Sequence, residues 1–220
     1  MTLNADIGEG TGTDKALVPH LDWCNIACGA HASSPEHMQE TVELVQQHGV
    51  RIGAHPGYAD QENIGRISVA MPSDQITELV CSQVKLLQSM AKVGYIKPHG
   101  ALYNDMMSDL EVFNAIVTAA KRRQLPLMLL AGDFPIHHAL AQQLDIALYH
   151  EAFADRAYTP EGQLLPRSES GAVHQDVDLI VKQAQLFLED PPYQIDTLCL
   201  HGDHPASVEA APQIRQLIDC

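Results

Sequence analysis

The feature that most constrains this chain is an alternation. Short apolar, β-prone runs recur with longer segments of helical period between them, the pattern of βα units built around a parallel sheet. The runs are Thr2–Ala5, Trp23–Ala27, Val50–Ala54, Tyr95–Lys97, Leu125–Leu130, Ile146–His150 and Thr197–Leu200, which predicts about seven strands in an α/β fold. Ser34 as N-cap with Pro35 in the first turn predicts a helix that stops at Gly49. A second helix carries Ile76, Leu79, Val80, Val84 and Leu87 on one face and ends near Gly94; others are expected over Leu110–Arg123, Ile136–Gln143, Val177–Leu188 and Ser207–Ile218. The stretch Ala152–Val173 lacks such a period, and loops of that length are usually functional or hairpin-like. Periodicity does not choose between a (β/α) barrel and an open doubly wound sheet. A length of 220 residues lies near the low end of the barrel range, roughly 200 to more than 400. One domain over 1–220, an irregular barrel with a missing or reduced unit, is therefore expected. Either fold collects its functional groups where the βα loops converge, at the carboxyl ends of the strands.

Composition narrows the partners. The formal charge is −15, with 28 acidic against 13 basic residues. Nucleic acid and anionic membrane both require clustered Lys and Arg, so neither is expected, and a small-molecule substrate is the better starting point. No run approaches the ~20 apolar residues of a membrane span, and the amino terminus lacks a basic region followed by an apolar stretch. A cytoplasmic protein is expected. Cys24, Cys28, Cys81, Cys199 and Cys220 form no C-x-x-C pair, which points to isolated thiols rather than a disulfide framework or zinc ribbon.

Polar residues gather at the predicted strand ends. They are Asp6 and Glu9 after the first run, His31 after the second, His55 after the third, Lys97, His99 and Asn104 after the fourth, Asp155 and Arg156 after the sixth, and His201, Asp203 and His204 after the seventh. Taken singly, a histidine at a strand end is ordinarily structural and an aspartate before a helix is ordinarily a cap. Recurrence at equivalent positions of separate units favours one shared site. Two chemistries fit it. In one, Asp6, His31 and His55 bind a divalent metal that polarises a carbonyl or activates water. In the other, Asp6, Glu9 or a histidine is the general base, Lys97 or Arg156 stabilises negative charge, and His99 or His201 moves protons. Desolvation beside His99 is expected to lower the Lys97 pKa. Asp155 and Arg156 read equally well as a local ion pair or as a carboxylate-recognition pair. The chain has no P-loop and no G-x-S-x-G nucleophile elbow, and Gly8-Glu9-Gly10-Thr11-Gly12 does not have the spacing of a dinucleotide fingerprint.

Six segments in order resemble the LamB/YcsF family: Leu3-Asn4-Ala5-Asp6-Ile7-Gly8-Glu9-Gly10, Asn25-Ile26-Ala27-Cys28-Gly29-Ala30-His31-Ala32, Gly53-Ala54-His55-Pro56-Gly57-Tyr58, Lys97-Pro98-His99-Gly100-Ala101-Leu102-Tyr103-Asn104, Phe153-Ala154-Asp155-Arg156 and His201-Gly202-Asp203-His204-Pro205. The chain departs from that pattern in a short loop from Thr11 to Leu21, in Ala30 where an aromatic is common, and in His204 where asparagine is more familiar. The resemblance implies a (β/α) barrel of the glycoside hydrolase/deacetylase type. It also implies a role, with two other 5-oxoprolinase subunits, in the ATP-dependent opening of 5-oxoproline to L-glutamate, ATP being held here or on a partner. Asp6, Glu9, His55, Lys97, His99 and His201 are then the catalytic candidates. Arg66 and Arg156 are candidate cations for the substrate carboxylate, with His31, Asn104, Asp155 and Asp203 as further substrate-binding candidates. A stand-alone metal-dependent deacetylase or amidohydrolase, and a non-catalytic binding or regulatory subunit, are the competing readings.

Overall fold

A computed structural model describes residues 1–219. Its strands are β1 (Thr2–Ile7), β2 (Trp23–Ala27), β3 (Arg51–His55), β4 (Leu127–Leu130), β5 (Leu148–Phe153) and β6 (Thr197–His201). All pair in parallel in one sheet of order β3-β2-β1-β6-β5-β4. The helices are α1 (Asp14–Leu17), α2 (Pro35–His48), α3 (Ser73–Gln88), α4 (Gly100–Ser108), α5 (Leu110–Arg123), α6 (Pro135–Gln143), α7 (Val177–Glu189) and α8 (Pro205–Asp219). No helix among the described residues is long and apolar enough to cross a membrane.

Local chemistry sets several of these boundaries. The Ser34 hydroxyl accepts from the His37 N–H at the start of α2, and Gly49 ends it with φ of 69°. In α5 the Asp109 carboxylate accepts from the Glu111 N–H, and Lys121, Arg122 and Arg123 complement the dipole in the last turn. Strands β1 to β4 and β6 are almost wholly buried, as expected when both faces of a parallel sheet are covered, while the first half of β5 is partly exposed.

The described residues contain six strands rather than the seven expected. The segment Tyr95–Lys97 makes single parallel bridges, Ala54 to Ile96 and Ile96 to Leu127. Its backbone bonds are nonetheless good: Lys97 N–H donates to Ala54 O at 2.9 Å and Met128 N–H to Ile96 O at 2.8 Å. Pro98 has no N–H and stops the ladder one residue later. The two edge strands, β3 and β4, are thus joined through one residue, and the sheet curls towards a barrel.

Two other differences concern loops. The motif after Lys97 runs into α4, which the sequence does not announce, because helical period is hidden there by Gly100 and the short length. The stretch 152–173 begins as the end of β5 and continues as a hairpin-like arm, with antiparallel bridges Arg156 to Val173 and Tyr158 to Leu164. Cys24, Cys28, Cys81 and Cys199 are free thiols, while Cys220 lies outside the described residues.

Gly53 shows how tightly the interior is filled. A Cβ there would lie 2.3 Å from the ring of Tyr95, whose hydroxyl donates to Cys24 O and to Asn25 Oδ1. Gly53→Ala is expected to destabilise the fold by about 1–3 kcal/mol through overpacking. Urea unfolding measures this, and an unchanged midpoint would show that Tyr95 can move freely.

Candidate active site

Side chains on a strand alternate between faces, so Asn4 and Asp6 project the same way from β1. Asn25 of β2 donates to both, 2.8 Å from Asn4 Oδ1 and 2.8 Å from Asp6 Oδ1. Asn4 in turn donates to Thr197 Oγ1 of β6 at 3.0 Å. Lys97, only 2% exposed, reaches Asp6 Oδ1 at 2.8 Å, Glu151 Oε2 of β5 at 3.0 Å and Cys199 Sγ of β6 at 3.1 Å. Inside the curl of the sheet, then, side chains of β1, β2, β5, β6 and the bridging segment form one polar network.

Asp6 is its hub. Its Oδ2 lies 3.3 Å from His55 Nε2 and 3.7 Å from His201 Nε2. Burial alone would raise the Asp6 pKa, but the charges of His55 and Lys97 outweigh it and hold the carboxyl well below the usual range. Lys97 corrects the expectation of a lowered pKa. Burial acts in that direction, yet the Asp6 charge, the Cys199 sulfur and Glu151 outweigh it, so Lys97 stays protonated well above the ordinary lysine value. Glu151 is pushed up, first by burial and then by Asp6, with Lys97 opposing.

On one side of Asp6 stands His201. Its Nδ1 is 3.0 Å from Asp155 Oδ2, and the same carboxylate accepts from His201 N at 2.8 Å and Ser207 Oγ at 2.8 Å. His204 Nε2 is 2.7 Å from Ser207 Oγ. An ionised Asp155 can only accept, so it places the His201 proton on Nδ1 and leaves the Nε2 lone pair towards Asp6. That is the arrangement of an oriented general base.

On the other side lie His55, His99, Glu9 and His31. His99 Nδ1 is 2.9 Å from Glu9 Oε1 and 3.0 Å from His55 Nε2, and the rings of His31 and His99 stack at 3.8 Å. Burial drops the His31 pKa to about 4. Two groups have the residue types and spacing to hold a divalent metal: Glu9, His31, His55 and His99, and separately Asp6, Cys199 and His201. The second already faces the Lys97 ammonium.

The catalytic candidates Asp6, Glu9, His55, Lys97, His99 and His201 all line one cavity of about 680 Å³, and Arg66, Asn104 and Arg156 line it too. Other candidates stand back from it. Asp155 lies behind His201, and His31 lines a smaller adjoining cavity. Asp203 accepts from Arg66 at 2.8 Å and from Arg167 at 2.6 Å. Arg156 is largely committed to the arm, donating to Ala172 O and Leu165 O, and burial followed by the charge of Arg167 lowers its pKa to about 10. It does not pair with the neighbouring Asp155 side chain, whose partners are His201, Ser207 and, at 3.5 Å, His204. Sequence reasoning missed Glu151, Asn25, Arg167 and Ser207. For Asn25 the signal was a single polar residue inside an otherwise apolar strand, and for Glu151 a carboxylate next to the apolar end of β5; Arg167 and Ser207 left none.

Fold and site together define a parallel α/β protein with an acid–base centre at the carboxyl ends of its strands. The chain belongs to the LamB/YcsF family, whose sequence model matches residues 1–220. It is 42% identical to the 5-oxoprolinase A-subunit of Vibrio campbellii, over 98% of this chain and 94% of that one. It is 43% identical to a 5-oxoprolinase A-subunit of Pseudomonas putida, over 100% and 94%. The crystal structure of the lactam utilization protein from Thermus thermophilus superposes with a TM-score of 0.88 at 32% identity, covering 100% of this chain and 97% of that one.

The Asp155 cluster has a signature in pH. Burial opposes ionisation, but the His201 and His204 contacts prevail and hold its pKa well below the ordinary value. As pH falls below the unfolded value near 4, the unfolded chain takes up a proton that the native carboxylate refuses, so this stabilisation is lost progressively down to the folded pKa. Asp155→Asn is expected to cost about 1–3 kcal/mol at neutral pH and to flatten stability against pH below about 4. Urea titrations between about pH 3 and 7 read both effects; parallel curves for the two proteins would contradict the assignment.

Proposed function

We propose that this chain is one component of an ATP-dependent 5-oxoprolinase that opens the lactam of 5-oxo-L-proline to L-glutamate, working in the cytoplasm with two partner subunits. The observation that carries the reading is the floor of the cavity, where a buried ammonium and an oriented imidazole stand 2.8 Å and 3.7 Å from the buried Asp6 carboxylate. The naming of full-length relatives at about two-fifths identity as 5-oxoprolinase A-subunits supports it.

The chemistry follows from the residues. A lactam amide is resonance-stabilised, so water attacks its carbonyl slowly, and coupling to ATP supplies the driving force by activating the amide oxygen. His201 Nε2, oriented by Asp155, accepts the proton of the attacking water. The Lys97 ammonium faces the negative charge that develops on the carbonyl oxygen, in a site too buried for water to screen it. Opening the ring requires a proton on the leaving nitrogen, which His201 returns after taking it from the attacking water. Arg66 and Arg167, which share one Asp203 oxygen, leave a net positive charge near the cavity for the substrate carboxylate or a phosphoryl group.

Reconstitution tests this reading. The chain mixed with its two partner subunits is expected to show 5-oxoproline-dependent ATP hydrolysis and glutamate formation, and His201→Gln to lower turnover about 10²–10⁴-fold without loss of helical circular dichroism. Lactam or amide hydrolysis by the chain alone, without ATP, would instead identify a stand-alone hydrolase. Tight 5-oxoproline binding with turnover indifferent to His201→Gln would identify a purely binding component.

A further inference from the structure

The protons of the Glu9, His55 and His99 cluster do not add up for a set of neutral imidazoles. His55 Nδ1 is 2.7 Å from the backbone oxygen of Lys97, and His99 Nε2 is 2.8 Å from that of Ile64. A carbonyl oxygen only accepts, so each of these nitrogens carries a hydrogen. A neutral imidazole has one N–H. The opposite nitrogens, His55 Nε2 and His99 Nδ1, therefore present lone pairs to each other across 3.0 Å. Glu9 Oε1, a third electron-pair donor, lies 2.9 Å from His99 Nδ1 and 3.6 Å from His55 Nε2, and this buried oxygen accepts no hydrogen bond; Asp6 Oδ2 adds a further acceptor 3.3 Å from His55 Nε2. The neighbouring cation, Lys97, is held by Asp6 and Glu151.

We infer that Glu9, His55 and His99 are the protein ligands of a divalent transition-metal ion. An added proton would join only two of the three donors; one cation joins all three. With metal–ligand bonds of about 2.1 Å, donor separations of this size subtend angles of roughly 90–120°, within the range of tetrahedral and five-coordinate sites. Two imidazole nitrogens with one carboxylate select a d-block ion such as Zn²⁺ over Mg²⁺ or Ca²⁺, which prefer oxygen. The Lys97 and Ile64 carbonyls hold the ring orientations, as outer partners of metal-bound histidines do. His31 is excluded as a ligand by its geometry. Its ring lies parallel to that of His99, 5° apart in tilt and 3.8 Å between centroids, so no ion can lie in both ring planes. It covers the site instead. Of the sequence-derived metal set of Asp6, His31 and His55, only His55 remains, and Asp6 stands beside the ion, bonded to Lys97. When bound, the ion supplies a Lewis acid at the cavity wall.

Metal binding is read on the full chain alone, so its outcome is independent of the 5-oxoprolinase reading. Chelator-treated, dialysed protein is titrated with Zn²⁺ against a chromophoric competitor, and thermal unfolding is followed with and without Zn²⁺. The expected result is one equivalent bound and a higher melting temperature with the ion. The near-isosteric Glu9→Gln, and His99→Gln, should each weaken binding at least tenfold and remove the thermal shift. His138→Ala, which breaks a separate contact to His150 at 3.1 Å, should leave both unchanged. Failure of the wild-type chain to take up Zn²⁺ overturns the inference, and so does uptake that survives undiminished in Glu9→Gln and His99→Gln.

Discussion

The Lys97 ammonium sits inside the curled sheet, almost without exposure, between the carboxylates of Asp6 and Glu151. A buried charge of this kind is tolerated only where its desolvation is offset by partners in good geometry. Those partners come from β1 and β5, and Lys97 itself comes from the short segment that bridges β3 and β4. One ion cluster therefore ties together the region where the sheet is most weakly hydrogen-bonded. Its chemistry and its closure are the same structural fact, because removing the Lys97 ammonium leaves two buried carboxyl groups facing each other without a cation.

Asp6 distributes that constraint to two histidine networks. Towards β6, Asp155 and Ser207 orient His201 and set its tautomer. Towards β3, backbone carbonyls set the tautomers of His55 and His99 and aim their lone pairs at Glu9. The two sides differ in kind. In the first, the Asp155 carboxylate takes donors from His201 and Ser207, an arrangement that suits proton transfer. The second has an excess of acceptors and suits a cation.

The net charge of −15 looks at odds with the anionic substrate proposed for this chain, but charge is distributed unevenly around the cavity. Arg66 and Arg167 converge on one carboxylate oxygen of Asp203 by the cavity, so the approach carries a positive charge whatever the total. Arg156, the other sequence candidate, spends its buried guanidinium on the carbonyls of the 152–173 arm. Those bonds tie the arm together two residues from Arg167.

The sequence by itself determined the parallel α/β class, because alternating β-prone runs and helical periods are local signals that six buried strands then bore out. It also determined which residues stand at strand ends, since His55, Lys97 and His201 directly follow or close apolar runs beside Gly or Pro. Only the tertiary structure decided that a seventh strand shrinks to one bridging residue, since that depends on where Pro98 falls against the neighbouring ladders. Only it brought Glu151 to Lys97 and Ser207 to Asp155, contacts between residues more than fifty positions apart. Proton positions belong to the same category. Which nitrogen of His55, His99 or His201 carries hydrogen is set by a carbonyl or carboxylate that folding alone delivers, and no spacing along the chain encodes it.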